Sequence, residues 1–237
     1  MKSGEKIFCI GFNKTGTTSL MHFFLNLSIK TCDGIADSSF KDVQEFYYSE
    51  DKFKYLEKLL SSFVAFEDVP WPIFYKELFN KFPNSYYILT TRNTDSWIRS
   101  CKNHFCLSSE NYPIHEFIFG IGRGSPIENE KEWISTYEKH NEDVIQFFSV
   151  NKNANFLHIK IDEEDNKEIS KRILEFIDLP NKKAIFKTSN KASKKYSKIF
   201  KNLYNAMRSI KYSIFGKKSI KIFGFSITKD FTELMKK

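Results

Sequence analysis

The sequence has no apolar run approaching the roughly 18 residues that a membrane-spanning helix requires. Cysteine is scarce, with four in 237 residues, and none stands in a C-x-x-C pair. We therefore predict that Cys9, Cys32, Cys101 and Cys106 are reduced thiols rather than zinc ligands or disulfide partners. The amino terminus also lacks the apolar segment and cleavage site of a secretory signal. Together these absences predict a cytoplasmic protein that folds without disulfides.

Arginine is the other scarce residue, with five against 32 lysines. Because this lysine bias runs through the whole composition, the net charge of +8 is weak evidence for nucleic acid binding, and we predict none. The charge is also unevenly placed. Residues 191–237 carry 13 lysines and arginines against two acids, whereas residues 1–190 carry 24 against 27. The body of the protein is therefore nearly neutral and its carboxyl-terminal tail is strongly basic.

This change of charge divides the chain into a predicted domain at residues 1–193 and a basic extension at residues 194–237. A hydrophobic content of 41% with 16% aromatic residues indicates a folded chain rather than a disordered one. Apolar residues of the extension recur near helical spacing: Ile199, Leu203, Met207 and Ile210. This pattern predicts an amphipathic helix, which either contacts an anionic membrane peripherally, docks on another subunit or packs on its own domain.

Strand and helix signals alternate along the first part of the chain, a pattern typical of a parallel sheet with crossover helices. Apolar, β-prone runs predict strands at residues 6–12, 62–66, 86–91 and 155–161. Helical spacing predicts helices at residues 17–28, 53–60, 72–82, 130–150 and 166–177, and one capped by Thr94 or Asp95. We therefore predict an α/β fold of three layers, with a central parallel sheet of four to five strands flanked by helices.

The most specific motif, GFNKTGTTS at residues 11–19, lies between the first predicted strand and the first predicted helix. Its G-x4-G spacing suits a loop whose amides wrap a phosphate beside the positive end of a helix. A nucleotide-hydrolysing P-loop places lysine directly after the second glycine. Here Thr17 and Thr18 follow that glycine, and Lys14 stands inside the loop. A lysine in that place can reach the bridging oxygen beside a 5′-phosphate, whereas the alternative is a plain glycine-rich turn.

A second motif, TTRNTDSWIRS, follows the third predicted strand. Arg92 stands at the strand's carboxyl end, and Ser100 lies eight residues later on the next predicted helix. The two side chains can clamp one phosphate at the edge where open α/β sheets bind ligands. Taken alone, the pair is better explained as a surface arginine and an exposed helical serine.

Together the two motifs resemble those of the sulfotransferase superfamily that uses 3′-phosphoadenosine 5′-phosphosulfate (PAPS). GFNKTGTTSL is similar to its 5′-phosphosulfate loop, and TTRNTDSWIRS to its 3′-phosphate motif. The stretches FEDVPWPIFYKELFNKFPNSYYILTTRNTDSW, YEKHNEDVIQFF, NFLHIKI and ILEFIDLPNKKAIFKTSNK follow in the order found in the branch with a D-x-P motif. The resemblance covers about residues 5–191, implies a P-loop-like fold, and does not include the tail.

The resemblance implies a role for each matched residue. Lys14 would stabilise negative charge on the bridging oxygen as the S–O bond breaks, without a metal. Arg92 and Ser100 would hold the 3′-phosphate, with Lys191 contributing from a late basic loop. The remaining residues of the loop would bind the 5′-phosphate: Asn13, Thr15, Gly16, Thr17, Thr18 and Ser19. The product nucleotide would be 3′-phosphoadenosine 5′-phosphate (PAP).

The family also uses an acidic residue or a histidine to take the proton of the acceptor hydroxyl. Asp68 is our candidate, because it matches the D-x-P aspartate directly after a predicted strand. Glu67 is its rival, and adjacent residues of an extended segment point opposite ways, so only one should face the site. The alternative for Asp68 is that it merely begins the turn before the Pro72 helix.

Other residues able to do chemistry are better explained by packing or exposure. We predict that the histidines of the helices are surface or packing residues: His22, His104 and His140. The tryptophans are predicted to pack in the core rather than to stack on adenine: Trp71, Trp97 and Trp133. Arg123 lies in a glycine-rich loop that either borders the acceptor pocket or is simply exposed.

Three functions stay open from the sequence. The first is a PAPS-dependent sulfotransferase acting on a hydroxyl of a glycan, a lipid-linked sugar or a small alcohol. The second is a small-molecule kinase using ATP and magnesium, although its lysine should stand where Thr17 is. The third is a non-catalytic nucleotide- or membrane-binding module with the basic tail as its working surface.

Overall fold

A parallel β-sheet forms the centre of the computed structural model, which describes residues 4–34, 46, 49, 51–105 and 113–187. The strands are β1 Ile7–Cys9, β2 Thr31–Asp33, β3 Ala65–Glu67, β4 Tyr86–Thr91 and β5 Asn155–Lys160. They form one sheet in the order β2-β3-β1-β4-β5, and every neighbouring pair is parallel. The predicted α/β fold with a parallel sheet is therefore confirmed.

Helices connect successive strands. Over the described residues they are α1 Thr17–Asn26, α2 Lys52–Ser62, α3 Tyr75–Lys81, α4 Thr94–Phe105, α5 Pro113–Phe119, α6 Glu130–Val150 and α7 Asn166–Phe176, with a 3₁₀ turn at Trp71–Phe74. Aspartate side chains cap two of them, since Asp51 accepts from the Lys54 amide at 3.2 Å and Asp165 from the Lys167 amide at 2.8 Å. No helix among the described residues is both long and apolar enough to cross a membrane.

Alternation along the strands produces three layers, because successive side chains point to opposite faces of the sheet. Phe8 faces one side, where its ring lies 5.1 Å from Phe66 and 5.4 Å from Tyr87, under α2, α3 and α6. Ile7 and Cys9 face the other side and pack against α1 and α7. All five of these side chains are completely buried, as expected for a strand covered on both faces.

The strand order fixes where a ligand can bind. After β1 the chain runs to β2 and β3 on one side of β1, and then crosses to β4 and β5 on the other. Open α/β sheets bind ligands at such a switch point, beyond the carboxyl ends of the strands. The loop after β1, Asp68 after β3 and Arg92 after β4 all lie at this edge.

Several details differ from the sequence prediction. Strand β2 and helix α5 are not predicted, because three residues and seven residues carry too little periodicity. The capping side chain of α4 is neither Thr94 nor Asp95: Asn93 Oδ1 accepts from the amides of Asp95 at 3.1 Å and Ser96 at 3.3 Å. The three cysteines among the described residues are buried and form no disulfide with one another: Cys9, Cys32 and Cys101. Cys106, Lys191 and the predicted extension at residues 194–237 lie outside the described residues.

Candidate active site

The loop from Gly11 to Gly16 joins β1 to α1 and has an unusual backbone. Lys14 has a φ of 67° and Gly16 a φ of 95°, both in the left-handed region. A lysine rarely adopts this conformation, and residues that do are concentrated at functional sites. Helix α1 begins at Thr17, and the residue at its N-cap position, Gly16, has no side chain that could cap the helix. The first-turn amides of a helix have no partners within the helix, so this end suits an anion.

Thr15 anchors the loop through its side chain and its backbone. Its buried hydroxyl donates to the Phe12 carbonyl at 2.6 Å and lies 2.9 Å from Thr90 Oγ1 on β4. The Thr15 amide also bonds the Phe12 carbonyl, at 3.3 Å. Thr15 therefore holds the shape of the loop, and its contact with a 5′-phosphate stays a prediction.

Gly11 lets β1 and β4 approach closely at the start of the loop. A Cβ at this position would lie 2.3 Å from the Thr90 carbonyl oxygen and 2.9 Å from Thr15 Oγ1. Neither the β4 backbone nor the anchored Thr15 can move aside without disturbing the loop. Any side chain at position 11 is therefore expected to distort the phosphate-binding backbone.

We predict that Gly11→Ala destabilises the protein by about 1–3 kcal/mol, the usual cost of overpacking. Thermal unfolding should show a melting temperature lower by about 2–4 °C per kcal/mol for a chain of this length. Gly122→Ala is the matched control, because its Cβ would meet nothing within 4 Å and would bear only the strain of a positive φ. A melting temperature for Gly11→Ala that equals that of the wild type would contradict the packing described.

Lys14 lies half-buried among charged groups at the carboxyl edge of the sheet. Burial lowers the pKa of Lys14, and the nearby Arg92 acts in the same direction, while the charge of Asp68 opposes the shift. Lys14 is thus near both the second cation of the site and its acid. Two cations held close together repel each other, and a polyanionic ligand would neutralise their charges.

Arg92 and Ser100 occupy the positions that the sequence predicts. Arg92 directly follows β4, Ser100 lies on α4, and both side chains are half-buried. The backbone of Arg92 is fixed by Tyr137 on α6, whose hydroxyl accepts from the Arg92 amide and donates to the Arg92 carbonyl, each at 2.8 Å. No sequence signal links positions 92 and 137, so this support was not predicted.

Three carboxyl groups converge on the other side of Lys14. One oxygen from each of Asp33, Glu67 and Asp68 lies within 4.8 Å of the other two. Asp33 and Glu67 are paired in register across β2 and β3, and their side chains form a hydrogen bond. The Thr17 hydroxyl lies 3.5 Å from Asp68 Oδ2. Asp33 was missed from the sequence, because β2 was not predicted.

The expectation that only one of Glu67 and Asp68 faces the site is wrong. It assumed an extended backbone, but Asp68 has a φ of 64°, which turns its side chain to the side that Glu67 occupies. Strand β3 ends at Glu67, so the alternation of the strand does not reach Asp68. Both carboxyl groups therefore belong to one cluster.

Close carboxylates of this kind hold either a divalent cation or a shared proton. Burial, followed by the charge of Asp68, raises the pKa of Glu67 far above its usual range. Burial also raises the pKa of Asp68. These directions favour a proton on Glu67, with the charge left on the half-buried Asp68. Within the cluster, Glu67 thus offers a neutral acid and Asp68 a carboxylate near Lys14.

The remaining candidates behave mostly as packing residues. The three tryptophans are completely buried, as predicted. His140 stacks on Phe12 with ring centroids 4.1 Å apart and bonds the Ile10 carbonyl, whereas His22 is exposed. Arg123 is exposed.

Two further observations concern the loop itself. Asn13 is buried, and its Oδ1 has no hydrogen-bond partner among the described residues. A hydrogen-bond donor of a ligand can supply the missing partner. Near the carboxyl end of the described chain, Phe186 is buried against Gly16: a Cβ on that glycine would meet the Phe186 ring at 3.2 Å. The described chain therefore passes beside the phosphate loop at Phe186.

Comparison with protein families adds the deciding observation: the model described as "Sulfotransferase domain" matches residues 6–195. The chain belongs to the sulfotransferase family. The resemblance predicted from the two motifs is therefore confirmed, as is the P-loop-like fold. A search of curated proteins gave no match.

Membership of this family relates the geometry of the site to the transfer of a sulfuryl group. A sulfuryl group is transferred at a highly charged centre, so positioning and cationic stabilisation should dominate catalysis. The site provides both, with a helix terminus and two cations on one side and a carboxyl cluster on the other. The matched region ends at residue 195, and the division of the chain at residue 193 stays a prediction.

Proposed function

We propose that this sulfotransferase moves a sulfuryl group from PAPS to the hydroxyl of an acceptor. The observation that carries the proposal is that Lys14, Asp68 and Arg92 follow the neighbouring strands β1, β3 and β4 at one edge of the sheet, where the charges of Asp68 and Arg92 act on Lys14. A lysine at this place can serve the leaving phosphate, the arginine a second phosphate, and the aspartate the incoming hydroxyl. These are the requirements of in-line displacement between two oxygens.

The donor supplies the sulfuryl group on a 5′-phosphate, and its 3′-phosphate marks it among adenine nucleotides. The amides of Gly16, Thr17 and Thr18 would hold the 5′-phosphate at the start of α1, where the helix dipole favours an anion. Arg92 and Ser100 would hold the 3′-phosphate, with Lys191 as a further proposed contact.

Lys14 and Asp68 would carry the chemical step. Lys14 would stabilise the charge that develops on the oxygen between phosphorus and sulfur as its bond to sulfur breaks. Asp68 would accept the acceptor's proton while the acceptor oxygen bonds to sulfur. A base whose pKa is raised by burial accepts a proton more readily than an ordinary aspartate. Glu67, protonated, would leave that role to its neighbour.

The donor assignment is tested by comparing the binding of PAP and AMP, which differ only in the 3′-phosphate. The wild type should prefer PAP, and Arg92→Ala should reduce that preference about 10- to 100-fold, the range for one charged hydrogen-bonding group. Arg99→Ala is a suitable control, because Arg99 is exposed on the same helix as Ser100. Equal affinities of the wild type for both nucleotides by calorimetry would overturn the assignment of PAPS as donor.

A kinase using ATP and magnesium is the alternative, and the family match does not favour it. Its lysine would follow the second glycine of the loop, where this chain has Thr17. The class of acceptor stays open between a glycan, a lipid-linked sugar and a small alcohol. We also retain as a proposal that the basic tail gives peripheral contact with anionic membranes.

A further inference from the structure

An aromatic pair lies beneath the two phosphate-binding elements of the proposed site. Trp97 on α4 and Tyr137 on α6 stack with ring centroids 4.0 Å apart and an interplanar angle of 8°. Trp97 is completely buried and Tyr137 is 1% exposed. Neither ring is therefore accessible to a nucleotide, so the pair does not act by stacking on adenine.

Each ring holds the backbone of a different ligand-binding element. The Trp97 Nε1 donates to the Asn13 carbonyl of the phosphate loop at 2.9 Å. The Tyr137 hydroxyl forms two hydrogen bonds of 2.8 Å with the backbone of Arg92. One stacked unit is thus bonded to the loop after β1 and to the residue after β4.

We propose that Trp97 and Tyr137 are positioning residues that fix the spacing between the phosphate loop and Arg92, and thereby set selectivity for a nucleotide with two separate phosphates. This inference rests on the proposed donor. Arg92 carries its guanidinium on a long flexible side chain, so its reach depends on where its backbone is held. Without the Tyr137 hydroxyl, the Arg92 amide and carbonyl lose the partner that holds them against α6.

The surroundings of the pair support a rigid role. Trp133 lies 6.1 Å from Trp97 and stacks on Phe119 at 3.7 Å, while Phe12 of the loop lies 6.5 Å from Tyr137. These rings form one buried cluster under the carboxyl edge of the sheet. Close-packed aromatic rings leave little room for rotation, so Trp97 Nε1 and the Tyr137 hydroxyl are held in fixed positions.

The test is Tyr137→Phe, which keeps the ring and removes the hydroxyl. We expect the affinity for PAP to fall about tenfold, in line with two lost neutral hydrogen bonds, and the affinity for AMP to stay nearly unchanged. Tyr87→Phe is the matched control. Tyr87 lies at the amino end of β4, the strand that Arg92 follows, and its buried hydroxyl donates to the Phe82 carbonyl just before that strand. That control should leave both affinities unchanged.

A double-mutant cycle separates positioning from a general loss of stability. In the Arg92→Ala background, Tyr137→Phe should have no further effect on the ratio of PAP to AMP affinity, because the positioned group is absent. Independent effects of the two substitutions on this ratio would overturn the inference. So would an unchanged ratio in Tyr137→Phe, provided that the wild type prefers PAP. A wild type without that preference would reject the proposed donor itself.

Trp97→Phe tests the other half of the pair and decides the matter if Tyr137→Phe does not fold. It retains an aromatic ring in the stack but lacks the donor to the Asn13 carbonyl. Because the loop holds the phosphate common to both nucleotides, both affinities should fall, and the affinity for PAP should fall further because the spacing to Arg92 is disturbed as well. An unchanged ratio of PAP to AMP affinity would contradict the proposal.

Discussion

Replacing Lys14 with alanine is expected to lower the turnover number by about 10²–10³-fold, the effect of removing one stabilising group from a developing oxyanion. The lysine lies inside the loop and near the site's acid and arginine. The charge it would serve arises mainly in the transition state, so the loss should appear in turnover rather than in nucleotide binding. Steady-state kinetics with calorimetry for PAP separates the two quantities.

Two controls make the Lys14 result specific. Lys171→Ala removes a lysine that is 65% exposed on α7 and should leave turnover unchanged. Lys14→Ala should also keep the wild-type circular dichroism spectrum, because Lys14 is only half-buried and belongs to none of the hydrophobic clusters of the core. Turnover of Lys14→Ala within a few-fold of the wild type would remove the lysine from the proposed chemistry.

Replacing Asp68 with asparagine should have the second largest effect, about 10²–10⁴-fold on turnover, the contribution of a general base. Asparagine keeps the size of the side chain and can still accept from the Val69 amide, which Asp68 Oδ1 bonds at 2.7 Å. Affinity for PAP should therefore be retained. The lower turnover would therefore reflect impaired proton removal rather than a disrupted backbone turn at Asp68.

Glu67→Gln is the matched control for that substitution. Since burial raises the pKa of Glu67 far above its usual range, we expect the side chain to be protonated at neutral pH, and glutamine closely imitates that neutral form. We expect near-normal turnover. If Asp68→Asn keeps turnover while Glu67→Gln abolishes it, the base is Glu67.

The pH profile of the wild type gives an independent check on the base. Burial raises the pKa of Asp68 to about 6, so the group binds a proton below that value and cannot accept another. The ratio kcat/KM should therefore fall as pH is lowered through about 6, and this acidic limb should be absent from Asp68→Asn. A profile that is flat down to pH values near 4, the ordinary range of an aspartate, would contradict the assignment.

The sequence was sufficient for the parts of the molecule that follow local rules. Strand β4 and helix α6 have the predicted bounds, because a run of buried β-prone residues and a long amphipathic repeat need no tertiary information. The phosphate loop was also predictable, since its glycine spacing and its lysine are adjacent in the chain. Arg92 and Ser100 could be predicted to bind a phosphate together only because they resemble a known motif.

What the sequence could not predict depends on contacts between distant segments. Asp33 joins Glu67 only because β2 pairs with β3, and a three-residue strand leaves no pattern to detect. The left-handed conformation of Asp68 brought both acids to one site against the alternation rule. Tyr137 supports Arg92 across 45 residues, through a hydroxyl that looks like any other in a helix.

This chain is proposed to transfer a sulfuryl group with the assistance of Lys14. The most direct measurement incubates the full chain with radiolabelled PAPS and a panel of glycan, lipid-linked sugar and small alcohol acceptors. A parallel reaction contains γ-labelled ATP with magnesium. We predict that label passes from PAPS to an acceptor with the wild type and not with Lys14→Ala. Transfer of label from ATP, with none from PAPS, would contradict the account.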